Sequence, residues 1–137
     1  MPFTVTDEST QDALESVADG LTAFNEANSD VGDWHQKVFV VREEGRFVGG
    51  VVINVHWHWL HVDMLLVEDA FRGRGVGRQL LEAAEHYARS LGCRGAYLDT
   101  LSFQAPGFYA KQGYTELATL ADFPPGSHHK VYFYKLF

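Results

Sequence analysis

Apolar positions along the chain recur at two periods, and the changes of period mark the elements. Residues 3–6 read as a short first strand, and Thr6, Asp7 and Glu8 then offer a helix cap with early acids. Leu14, Val17, Ala18, Leu21 and Phe24 follow at helical spacing. Gly20 interrupts this stripe, so one bent helix and two shorter ones both fit. Residues 25–33 are polar and turn-rich. Strands are expected over 37–42 and 47–55, joined by a hairpin turn at 43–46. Gly49 and Gly50 inside the second strand imply a bulge or a close neighbour. His56, Trp57 and His58 fall in the next connection, although no glycine or proline marks it.

The middle of the chain organises the rest. Residues 59–67 are apolar and β-rich, as a buried strand would be. Residues 68–71 break the run, and three glycines then alternate with Arg74 and Val76. Val76, Leu80, Ala84, Ala88 and Leu91 fall at helical spacing, which starts a helix near Gly75 and ends it at residues 92–95. A strand over 96–101 follows, and strand, helix and strand in this order imply a parallel crossover. A short helix then ends at Gly113, with strands expected over 114–120 and 130–137 and a loop at 123–127.

Composition narrows the class. A chain of 137 residues, 46% hydrophobic and 21% charged, is one soluble globular domain by size, residues 1–137, with room for a core. Aromatics at 14% point to a well-packed core or an aromatic-lined pocket. A net charge of −7 argues against general nucleic-acid binding and would suit a cationic amine. The lone Cys93 excludes an internal disulfide and fits a reducing cytoplasm, where the protein is expected. No apolar run approaches membrane-spanning length, and the first residues lack a signal-peptide pattern.

The glycine junction is chemically the most informative stretch. A helix start exposes N–H groups without internal partners and carries partial positive charge, and glycines let a ligand approach the backbone. Arg72, Arg74 and Arg78 add three cations beside it. Together these describe an anion site suited to phosphate. A Walker loop is excluded, because Gly77-Arg78-Gln79 stands where Gly-Lys-Ser/Thr is required. A dinucleotide fingerprint starting at Gly73 meets Arg78 at its third glycine position, although Asp99 lies at a distance suited to a ribose. The sequence Arg72-Gly73-Arg74-Gly75-Val76-Gly77-Arg78, after a strand ending Leu65-Leu66-Val67, resembles the Gln/Arg-x-x-Gly-x-Gly/Ala motif of the GNAT superfamily of N-acetyltransferases.

What the resemblance implies is specific. In that family the glycine turn holds the pyrophosphate of coenzyme A, and the strand residues matching Leu65, Leu66 and Val67 run beside the pantetheine arm. A second stretch, Phe108-Tyr109-Ala110-Lys111-Gln112-Gly113-Tyr114, is similar to the family's Phe-Tyr-x-Lys-x-Gly-Phe/Tyr segment. It places Phe108 and Lys111 near the donor and Tyr109 as the acid for the leaving sulfur, the bland alternative being a core tyrosine. Ser102 stands where many relatives carry an asparagine near the pantetheine. The early helix and loop would form part of the acceptor wall, with Asn25, Asn28 and Trp34 as contacts, and Asp99 is a further substrate-binding residue. A solvated loop with one packed tryptophan is the competing reading.

For the base, His61 falls where some relatives carry a glutamate, and Asp63 two residues on would share its strand face. Each has a structural alternative, and many relatives use only water. The run His56, His58, His61, Asp63 has ligand types suited to zinc or iron, but no His-Glu-x-x-His motif accompanies it, and no metal is expected. The fold implied is mixed α/β, a central sheet of about six to seven strands flanked by helices. The function implied is direct acetyl transfer from acetyl-CoA to a primary amine of a small molecule. Two rivals remain: an acyl-CoA-sensing module without turnover, and a nucleotide-binding oxidoreductase. Many members of the family are dimers, and nothing in the sequence identifies an interface.

Overall fold

A computed structural model describes residues 2–29 and 34–137. The chain forms two units, residues 1–32 and 33–137. The first is built on helix α1 (Gln11–Asn28). Thr10 caps it, its hydroxyl accepting from the Ala13 N–H at 3.1 Å, so the cap lies four residues beyond the expected Thr6. Gly20 sits inside one continuous helix, which carries Asn25 and Asn28 as helical residues rather than loop ones. Among the described residues no strand precedes α1. Residues 3–6 find no ladder, and Phe3 and Val5 are exposed. The expected turn residues 30–33 lie outside the described residues.

In the second unit the first three apolar runs pair as a meander. Strands β1 (Trp34–Glu43), β2 (Arg46–His56) and β3 (Trp59–Val67) are antiparallel neighbours. Both hairpins close through two residues at positive φ, Glu44 and Gly45, then Trp57 and His58, as a tight hairpin turn of this hand requires. The second turn lacks glycine and asparagine, so composition does not mark it. A short 3-10 turn (Asp69–Phe71) then leads into α2 (Val76–Ser90). The crossover returns the chain to β4 (Gly95–Leu101), parallel to β3. Helix α3 (Pro106–Lys111), β5 (Thr115–Ala121) and β6 (His129–Leu136) complete a six-stranded mixed sheet of order β1-β2-β3-β4-β6-β5.

Alternation on the central strands and helical spacing on α2 bring one apolar face together. Leu80, Leu81, Ala84 and Ala88 of α2 share a buried cluster with Val51, Ile53, Leu60, Val62, Leu98 and Phe133 of the sheet. Gly49 is required in β2, because a Cβ there would stand 2.7 Å from the Leu66 carbonyl oxygen. A bulge also lies beside the glycines, on the β1 side of β2: Val41 pairs with Gly49 and Arg42 with Phe47, leaving Val48 as the extra residue. A further bulge lies on β3: Ile53 pairs with Val62 and Val52 with Met64, leaving Asp63 as the extra residue.

Candidate active site

The site begins where two parallel strands part. β3 and β4 pair only through Trp59–Gly95, Leu60–Ala96 and His61–Tyr97, yet β3 continues to Val67 and β4 to Leu101. The bulge at Asp63 adds twist to β3 at the point where the ladder stops. Beyond it, the side of β3 that faces β4 has no strand partner among the described residues. Such an edge offers main-chain donors and acceptors to an extended ligand that itself carries amides.

Next to this gap stands the N-terminus of α2. Gly75 caps the helix at φ 80 with no side-chain bond, and Gly73 lies at φ 75. The first-turn N–H groups therefore have no side-chain cap. Arg72 ties the turn to the strand: its Nε donates to the Val67 carbonyl at 3.1 Å, while its Nη1 lies 3.0 Å from Asp69. Gly77 faces the Phe108 ring, which a Cβ there would meet at 3.4 Å, so the bare glycine brings the first turn of α2 close to α3. Arg74 and Arg46 both lie over the Phe71 ring, at 5.3 and 5.4 Å. Bare helix N–H groups beside guanidinium groups fit a pyrophosphate.

Gap and helix end open into one cavity of about 1050 Å³. β3 from Val62 to Val67, the glycine turn, Asp99, and Phe108, Tyr109 and Lys111 of α3 line it. Tyr109 is buried, with its ring against Phe108, Tyr114 and Phe133. Burial first, and the charge of Asp99 second, push its phenol up to about 12. The phenol thus keeps its proton at any working pH. Asp99 in turn has Lys130 at 3.6 Å.

The structure brings most of the expected residues together. Asp63, Leu65, Leu66, Val67, Arg72, Gly73, Gly75, Val76, Gly77 and Arg78 border the cavity, as do Asp99, Phe108, Tyr109 and Lys111. Within the second unit Arg74, His61, Ser102 and Trp34 stand off its lining. Arg74 reaches it only through Phe71. His61 does not share the site with Asp63, because the bulge breaks the two-residue alternation. Its ring stacks on Tyr97 at 4.8 Å, with Asn54 Nδ2 3.5 Å from Nδ1. The Ser102 hydroxyl accepts from the His129 N–H at 3.1 Å. Trp34 opens β1 and is exposed. Asn25 lies in the first unit, where its carbonyl accepts from the Ser29 hydroxyl. Among the described residues no three His, Cys, Asp or Glu side chains are arranged to hold a metal ion. Sequence reasoning missed Phe71, Phe103, Gln104 and Gln112 on the wall. For Phe103 and Gln104 a signal existed: they directly follow the carboxyl end of β4, where open α/β sheets bind ligands.

Comparison with known proteins agrees with this geometry. The family model for acetyltransferases of the GNAT family matches residues 5–114. A blasticidin-S acetyltransferase of Streptomyces morookaense is 48% identical over 85 residues, which is 61% of this chain and 62% of that relative. The acetyltransferase Atu2258 of Agrobacterium fabrum is 34% identical over 92% of this chain and 93% of its own. The crystal structure of an acetyltransferase from Bacillus cereus superposes with a TM-score of 0.92 at 33% identity, covering 98% of each chain.

Proposed function

The chain belongs to the GNAT acetyltransferase family, and on that premise we propose that it moves the acetyl group of acetyl-CoA onto a primary amine of a small, cationic molecule. One observation carries the reading: the β3/β4 gap runs from the glycine-capped end of α2 to a wall that holds Tyr109, Asp63 and Asp99. Acetyl-CoA supplies an activated acyl carbon as a thioester. The residues of this chain supply place and protons. The α2 N-terminus, Arg72 and Arg78 receive the pyrophosphate, and the open edge of β3 from Leu65 to Val67 takes the pantetheine amides.

Transfer forms a C–N bond and breaks a C–S bond, the nitrogen losing a proton and the sulfur gaining one. Tyr109 holds a proton on the cavity wall for the departing sulfur. Its raised pKa makes it a standing hydrogen-bond donor more than a strong acid. Asp63, directly or through one water, accepts the proton of the amine. Asp99 orients the cationic group. Holding donor and acceptor together in one cavity gives much of the rate. The carboxylates on the wall and the net charge of −7 support a cationic acceptor, and the relative named for blasticidin S supports a small-molecule one.

A thermal-shift screen with acetyl-CoA, CoA, NAD and ATP tests the donor, since a ligand of the native state raises Tm. The reading expects the coenzyme A compounds to do so. Stabilisation by NAD or ATP but by neither coenzyme A compound refutes it.

A further inference from the structure

Among the described residues Glu85 is the only buried charged side chain, 7% exposed on the face of α2 that otherwise carries Leu81, Ala84 and Ala88. Nothing in the proposed chemistry uses it directly. Its carboxylate is fully engaged: Oε2 accepts from the Tyr114 hydroxyl at 2.8 Å and Oε1 from Lys135 Nζ at 2.8 Å. Lys135 reaches in from β6 and donates as well to the carbonyl of Gln112 at 3.0 Å. Gln112 is the C-cap of α3, so the ammonium sits where a helix end favours positive charge.

These bonds converge on the element that carries Tyr109. α3 is six residues long and has no side-chain bond at its N-cap. A helix this short does not hold its own position. Its far end is fixed by Lys135 at Gln112, and by the Tyr114 N–H donating to the Tyr109 carbonyl at 3.1 Å. The rings of Tyr109 and Tyr114 meet edge-on, with centroids 5.9 Å apart. An apolar side chain of similar volume would fill this part of the core without burying a charge. A carboxylate at such a place is accounted for by the hydroxyl and the ammonium it positions.

We propose that Glu85 is a positioning residue for acetyl transfer: through Tyr114 and Lys135 it fixes the end of α3, and with it the place of the Tyr109 hydroxyl on the cavity wall. The inference rests on the reading of Tyr109 as the donor to the departing sulfur.

The test is a double-mutant cycle on the full chain. Glu85→Gln and Tyr114→Phe are each made in the parent and in Tyr109→Phe. Thiol release from acetyl-CoA is followed with blasticidin S as acceptor and, without it, to water, because both reactions need the sulfur to leave. Acetyl-CoA affinity is read by calorimetry. Glu85→Gln is expected to slow release about ten-fold in the parent and by less than about two-fold in Tyr109→Phe, with affinity unchanged. Tyr114→Phe, which removes a single hydroxyl, shows the same pattern and serves should Glu85→Gln fail to fold. An equal loss in both backgrounds makes Glu85 merely structural and overturns the inference, as does an unchanged parent rate. A Tyr109→Phe variant as fast as the parent, or a parent that releases no thiol, removes the catalytic reading and this inference together. Calorimetry then states separately whether the donor site stands.

Discussion

The Tyr109 phenol and the Asp99 carboxylate border the same cavity, and the charge of Asp99 acts on a ring already buried among Phe108, Tyr114 and Phe133. The relationship decides what Tyr109 is able to do. A phenol held up at about 12 does not lose its proton to water in the working range, and a carboxylate nearby discourages the phenolate further.

Tyr109→Phe removes one oxygen from a packed ring and leaves the packing in place. The expected result is a fall in kcat on the order of 10²-fold, the scale of a lost proton donor, with the KM for acetyl-CoA nearly unchanged. Steady-state kinetics decide it. A raised KM with an intact kcat places Tyr109 in donor binding instead.

The same phenol carries a pH signature. Its folded pKa lies above the ordinary value of 10, so its contribution to stability is whole below pH 10 and is lost as pH rises through about 12. Tyr114 is raised further, by burial first and by Glu85 after it. Phenolate absorbance assigned by the two Phe variants should therefore appear only with alkaline unfolding seen by circular dichroism. A Tyr109 phenolate formed near pH 10 in the folded protein contradicts the placement.

The glycine turn gives a prediction about the donor alone. Gly75 at φ 80 caps α2 in the left-handed region, so Gly75→Ala costs about 1–2 kcal/mol of strain. Tm falls accordingly, and acetyl-CoA binding weakens because the first-turn N–H groups shift. Arg72→Ala, which frees the Val67 carbonyl and removes one cation, should lower affinity about ten-fold, the worth of one charge-assisted hydrogen bond. Calorimetry measures both without an acceptor.

The bulge separates two candidate bases. Asp63 borders the cavity, while His61 lies against Tyr97 off its lining. Asp63→Asn is expected to lower kcat about ten-fold or more, and His61→Ala to change it by less than about three-fold. The reverse order returns the role to His61.

Much of this site is written locally, and the parts that are not share one cause. The glycine turn, the start of α2, the crossover and the end of α3 at Gly113 are decided within a few residues, by φ > 0, missing side chains and helical spacing. The departures depend on partners distant in the chain. Asp63 is displaced from the face of His61 only because β2 pairs Val52 with Met64. Ser102 turns to the β6 end through His129, some 27 residues on. Residues 3–6 have the pattern of a strand and find no edge. Gly20 breaks the apolar stripe, but one glycine costs less than breaking an 18-residue helix. Glu85 is a polar residue at a helix position whose burial shows only when Tyr114 and Lys135 are seen around it.

The most direct test of the central claim is product formation. The full chain is incubated with acetyl-CoA and a panel of amines headed by blasticidin S and polyamines, with thiol release and the acetylated amine followed together by absorbance and mass spectrometry. The account predicts amine-dependent release matched one for one by an amine bearing a single acetyl group, and a much slower reaction with Tyr109→Phe. Tight binding of acetyl-CoA with no release above hydrolysis from any amine of the panel would contradict it, and would make the cavity a site that senses the donor without spending it.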